Sequence, residues 1–163
     1  MRNNYDLSII VRGVAKVIPF LFLFLIFLQL IIGAFVSGMD AGKIYNSWPL
    51  MGDTYFPNDN SIMSLFKLSA FSDPSLVQFI HRNLAYLIGI YFIFIFYKVY
   101  KNKMTSLYNS ANLIGIFIIL QIILGVITII SGAQIYIASM HQISSVLLVS
   151  SSVYFLYLNK KTN

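Results

Sequence analysis

The sequence predicts an all-α integral membrane protein, a four-transmembrane-helix bundle made of two pseudo-symmetric helix pairs. Three observations carry this. The 163 residues are 58% hydrophobic and only 10% charged, and a mean hydropathy of +0.79 lies outside the range of soluble domains. Four apolar stretches are long enough to cross roughly 30 Å of hydrocarbon as helices. The basic residues gather just outside those stretches, so the net charge of +6 reads as membrane topology rather than nucleic-acid binding. Membrane lipid is therefore an expected partner and nucleic acid is not. The absence of cysteine excludes disulfide scaffolds, thiolate zinc sites, iron-sulfur clusters and thioether-attached haem.

The spans expected are Val17 to Val36, Leu76 to Tyr97, Ala111 to Ile130 and Ile137 to Leu158, within a single membrane domain covering residues 1–163. Helices are required because lipid offers no hydrogen-bonding partner to an open backbone, and no alternating barrel pattern is present. The first stretch is too long for a signal-peptide core, so it counts as a span. Arg2, Arg12 and Lys16 precede it, Lys98, Lys101 and Lys103 separate spans two and three, and Lys160 and Lys161 follow the last. Both termini are accordingly expected on the cytoplasmic side of a bacterial cell membrane, or the matrix side of a mitochondrial inner membrane. A long loop, about Gly38 to Ser75, would face outside. In it, Ser61 to Phe71 carries Ile62, Leu65 and Phe66 at helical spacing, as a helix lying in the interface would. Asp53 to Asp59 reads as a solvated turn without metal-ligand spacing. Tyr45, Trp48 and Tyr55 fit an aromatic belt.

An internal repeat relates the two halves. Span one ends Gln29-Leu30-Ile31-Ile32-Gly33 before Ser37-Gly38, and span three ends Gln121-Ile122-Ile123-Leu124-Gly125 before Ser131-Gly132. Each is followed by a span carrying one of the two histidines, His81 or His141, as parallel repeats would arrange them. Chance similarity between isoleucine-rich helices remains the other reading of the match.

From Leu84 to Tyr97 a helix rises only about 21 Å, and from Ile143 to Leu158 only about 24 Å, so both histidines are drawn inside the membrane at matching depth. Ala85 and Gly89 share the face of His81, Ser144, Ser145 and Ser152 share that of His141, and Gly33 and Gly125 offer further room. Two facing imidazoles with such relief are the arrangement that ligates haem iron from both sides, with Arg82 available to a propionate. Taken singly, a histidine so placed is more often an interfacial or inter-helix hydrogen-bonding residue than a ligand, and Arg82 equally suits a snorkelling cation.

The runs Gly33-Ala34-Phe35-Val36-Ser37-Gly38-Met39-Asp40-Ala41-Gly42, Tyr45-Asn46-Ser47-Trp48-Pro49-Leu50-Met51 and Val77-Gln78-Phe79-Ile80-His81-Arg82-Asn83-Leu84-Ala85-Tyr86 strongly resemble the haem A synthase family. Gln121 to Thr128 and Met140-His141-Gln142 fit the same pattern. The resemblance implies an eight-helix protein of two four-helix halves, of which this chain looks like the second. That half would hold a haem b between the positions matching His81 and His141. The other half would take haem o, whose ring methyl becomes the formyl of haem A for cytochrome oxidase. The family's implied catalytic glutamate lies in that other half, three residues before its first histidine; the corresponding position here is Gln78, which cannot ionise.

These implications lead to a half-size form or subunit of a haem A synthase-like oxidoreductase, inactive when isolated, whose partner is a second four-helix half or another copy of itself. Contacts with cytochrome oxidase assembly factors fit the same reading. The alternative is a non-catalytic b-type cytochrome or haem-binding assembly subunit.

Overall fold

In the computed structural model, the described residues are 3–162 for the backbone and 17–161 for side chains. Four long helices account for most of them: α1 (Asn3–Gly38), α2 (Pro74–Lys101), α3 (Tyr108–Ile130) and α4 (Ile135–Thr162). Each is long and apolar enough to cross a membrane. The chain is thus an all-α, multi-pass membrane protein with four spanning helices. Arg2 lies outside the described residues, as do the side chains of Arg12 and Lys16.

Local signals set the helix ends. Asp73 caps α2 by accepting a hydrogen bond from the Leu76 amide at 2.9 Å, and Pro74 opens the first turn, where a missing N–H loses nothing. Lys98 and Lys101 stand at the carbonyl end of the same helix. After α1, α2 and α3 the backbone turns left-handed, at Asp40, Lys103 and Gly132-Ala133 respectively, which stops each helix. The Ala133 amide closes the last of these turns on the Thr128 carbonyl at 2.8 Å.

The helices form a closed ring: α1 packs on α2, α2 on α3, α3 on α4 and α4 on α1. This leaves α2 and α4 on one diagonal and α1 and α3 on the other. The apolar core occupies the end of the bundle that holds the chain termini. Phe22 and Ile26 of α1 meet Phe92, Ile95 and Val99 of α2, Ala111, Ile114 and Ile118 of α3, and Leu148 and Phe155 of α4. Outward-facing Phe20, Ile31, Ile90, Ile93, Ile116, Ile119 and Val146 are exposed, as a lipid-contacting surface requires.

The α1–α2 loop caps the other end. Asn46 Nδ2 donates to the Gly42 carbonyl at 2.9 Å and to the Ile129 carbonyl at 3.0 Å, tying the loop to the end of α3. The continuous helix expected over Ser61 to Phe71 is not formed. Two 3₁₀ turns, Ile62–Phe66 and Leu68–Ser72, are separated by Lys67 in extended conformation, and no side chain caps the first of them.

Candidate functional site

His81 and His141 sit near the loop end of α2 and α4, on the diagonal of the ring. Each is held through its carbonyl by a glutamine of the preceding helix. On α1, Gln29 Nε2 donates to the His81 carbonyl at 3.1 Å and lies 3.2 Å from His81 Nε2. On α3, Gln121 Nε2 donates to the His141 carbonyl, also at 3.1 Å, and to Ser144 Oγ. One turn further along, a glycine faces the same ring. A Cβ placed on Gly33 would lie 3.1 Å from His81 Cε1, and one on Gly125 would lie 3.3 Å from His141 Cε1. The repeated unit is therefore a Gln and a Gly on one helix embracing a His on the next.

The other small residues behave differently from expectation. Gly89 has nothing within 4 Å of the position a Cβ would take, so it gives no relief to His81. Ser145 and Ser152 donate to carbonyls of their own helix, at Gln142 and Leu148, and Ser144 takes the Gln121 amide.

Arg82 is buried at 6% exposure, and its guanidinium meets backbone carbonyls of the loop. Its Nη1 donates to the carbonyls of Ser47 at 3.0 Å and Leu50 at 3.2 Å, and its Nη2 to that of Tyr45 at 3.0 Å. Nε alone has no partner. Four residues earlier, on the same face of α2, buried Gln78 donates through Nε2 to the Tyr45 carbonyl at 3.0 Å. Trp48 Nε1 donates to Tyr86 at 2.9 Å, and the Tyr55 hydroxyl donates to Asn83 Oδ1 at 2.6 Å. The aromatic residues of the loop thus pin it onto α2.

Asp59 is more than a solvated turn residue. It accepts from Ser75 Oγ, from the Tyr45 hydroxyl at 3.1 Å and from Asn60 Nδ2, which also bridges to Asp73 at 3.2 Å. Burial alone would raise its carboxyl, but these donors outweigh it and hold the group below the ordinary carboxylate value. The Tyr45 phenol is raised, first by burial and then by its bond to Asp59. Asp40 forms an exposed pair with Lys43 at 2.8 Å, of the kind that contributes little.

Both imidazoles carry a buried Nδ1 without a hydrogen-bond partner. Among the described residues no three His, Cys, Asp or Glu side chains gather to hold a metal ion. Two nitrogen donors are too few for a bare ion, which needs four or more. A metal bringing four equatorial nitrogens of its own needs only two further ligands, one from each side. The donor set, its diagonal placement and the two glycine cradles fit haem iron.

Compared with known proteins, residues 8–153 match the family described as cytochrome oxidase assembly protein. The chain belongs to the haem A synthase family. It is 46% identical over 150 residues to the haem A synthase of Pelagibacter ubique, covering 90% of this chain and 44% of that protein. The haem A synthase of Wolbachia pipientis wMel is 42% identical over 141 residues, covering 86% of this chain and 39% of the relative. That of Rickettsia felis is 32% identical over 167 residues, covering 98% and 48%. The chain thus spans somewhat less than half the length of these haem A synthases. No solved structure matches it.

Sequence reasoning noticed Gln29 and Gln121 only as markers of the repeat and gave them no role. Their spacing of one helical turn from Gly33 and Gly125 was the available signal, since residues four apart share a helix face.

Proposed function

We propose that His81 and His141 hold the iron of a haem b in one four-helix half of a haem A synthase, the whole of which oxidises haem o to haem A for cytochrome oxidase. The observation that carries this reading is the repeated Gln-Gly-His unit, which supports one imidazole on each of two diagonal helices near the same end of the bundle. A haem held there by His81 and His141 would supply one-electron chemistry. The protein's part is to fix the ring planes through Gly33 and Gly125, to exclude water with the loop cap, and to hold α2 and the loop together through Arg82 and Gln78. A carboxylate approaching Arg82 would find the Nε hydrogen and one Nη2 hydrogen not engaged by the loop carbonyls.

The missing half is supplied by a second four-helix unit or another copy of this chain, with oxidase assembly factors as further partners. Both termini lie on the cytoplasmic or matrix side, following the lysines at the α2–α3 connection and after α4. A second reading, a haem-binding assembly subunit without turnover, is favoured by Gln78. This residue stands where this half corresponds to the glutamate of the other half, cannot exchange a proton, and has its amide engaged with the loop.

The test is the spectrum of the purified chain expressed with ample haem. A six-coordinate, low-spin haem b is expected, and His81→Ala or His141→Ala should open the iron to carbon monoxide or abolish binding. A colourless wild-type protein would refute the proposal. Incubation with haem o and a reductant separates the two readings. Haem A formed only with a four-helix partner supports the synthase half, and none under either condition supports the assembly subunit.

A further inference from the structure

The two histidines are held by the same kind of residue but not in the same way, and one substitution in the repeat accounts for the difference. Gln121 gives one hydrogen to the His141 carbonyl and the other to Ser144 Oγ, three residues beyond the histidine. The corresponding residue after His81 is Leu84, which has no acceptor. The second hydrogen of the Gln29 amide is directed instead at the imidazole, 3.2 Å from His81 Nε2.

The orientation of that amide is fixed by chemistry. Turning it over would set Gln29 Oε1 against the His81 carbonyl oxygen, two acceptors facing each other, in place of the 3.1 Å hydrogen bond. An amide NH₂ only donates, so His81 Nε2 must accept, and the ring proton resides on the unpartnered Nδ1. Gln29 therefore keeps His81 in the tautomer whose Nε2 lone pair is available, and at the same time occupies that lone pair. An iron binding at Nε2 must displace Gln29 at His81. At His141 the corresponding amide is turned to Ser144.

We propose that Gln29 is a positioning residue that makes His81 the weaker, exchangeable axial ligand and leaves His141 as the fixed one. The inference rests on the bis-histidine reading above and adds to it that the two sides of the site are inequivalent. Releasing His81 from iron restores its bond to Gln29, so an external ligand enters more readily on that side. Releasing His141 restores nothing of the kind.

The experiment measures carbon monoxide affinity of the reduced, haem-loaded full chain, together with its reduction potential. Gln29→Leu should lower the affinity about fivefold, the equivalent of one hydrogen bond. Gln121→Leu should leave it within about twofold. Leu84→Ser gives Gln29 the acceptor it lacks and should reproduce the Gln29→Leu effect with the glutamine still present, which guards against a variant that merely folds poorly. Ser144→Leu should direct Gln121 onto His141 and raise the affinity. Equal effects of Gln29→Leu and Gln121→Leu, or no effect of Leu84→Ser, would overturn the inference while leaving a six-coordinate haem intact. A wild-type chain that binds no haem would instead defeat the reading on which it rests.

Discussion

Replacing Arg82 with Met keeps the length and apolar stem of the side chain and removes its donors, so it isolates what the guanidinium does. In the structure this group donates to three carbonyls, those of Tyr45, Ser47 and Leu50. A hydrogen bond from a charged donor contributes about 1.5–3 kcal/mol net. Adding three such values overstates the effect, because the Tyr45 carbonyl keeps Gln78 and the Leu50 carbonyl keeps Ser47 Oγ as donors. A loss of about 3 kcal/mol is the reasonable expectation, which raises the population of open loop on the order of a hundredfold. Hydrogen exchange reads this directly. The Met51 amide donates to the Thr54 carbonyl at 2.7 Å, and its protection in lipid discs should fall by about that factor. Arg82→Lys should be nearly as damaging, since a compact ammonium cannot span three carbonyls at fork geometry. Exchange at Met51 unchanged within about threefold in Arg82→Met would refute the clamp.

Gly33→Ala and Gly125→Ala each place a methyl against an imidazole, at 3.1 and 3.3 Å, and should weaken haem retention severalfold in a haemochrome titration. Gly89→Ala meets open space and should stabilise α2 by about 0.5–1 kcal/mol with no spectral change. Because the Asp59 carboxyl is held below its unfolded value, its contribution to loop closure is complete above the ordinary carboxylate pKa and is lost as pH falls through the lowered one. Protease sensitivity of the loop should therefore rise below about pH 4, and Asp59→Asn should remove that dependence. Reporter fusions at Asn58 and Asn102 should report opposite sides of the membrane, and the same side for both would break the four-span topology.

The spans were legible because lipid leaves the sequence little freedom: an unbroken apolar run flanked by lysines has few other meanings. Their ends were less so. α2 extends from Pro74 to Lys101, beyond the apolar stretch Leu76 to Tyr97, because Asp73 and Pro74 start the helix before hydropathy rises and Lys98 and Lys101 suit its carbonyl end. The place of His81 and His141 near the loop ends of two diagonal helices followed from helix order and length. The partners of Arg82 did not, since backbone carbonyls of a loop leave no trace in composition, and a buried arginine looks the same in sequence whether it meets a carboxylate or a fold of main chain. The loop itself resisted reading for a related reason. Ile62, Leu65 and Phe66 have helical spacing, but Lys67 adopts an extended conformation that splits the segment.

The bundle keeps its two tasks at opposite ends. At the terminal end, large apolar side chains from all four helices close around Phe22 and Phe155, and nothing there asks for room. At the loop end the same helices carry Gly33, Gly125 and buried polar groups, an arrangement that gives up apolar packing and would open the bundle if unsupported. The support comes from outside the helices: Arg82 and Gln78 draw the loop down onto α2, Asn46 ties it to α3, and Asp59 fastens it near the start of α2 through Ser75. The long connection thus braces the end of the bundle where the two histidines and their glycines lie. The charged members of this clamp, Arg82 and Asp59, meet neutral carbonyls, hydroxyls and amides rather than opposite charges, so it does not depend on the screening of exposed ion pairs by salt.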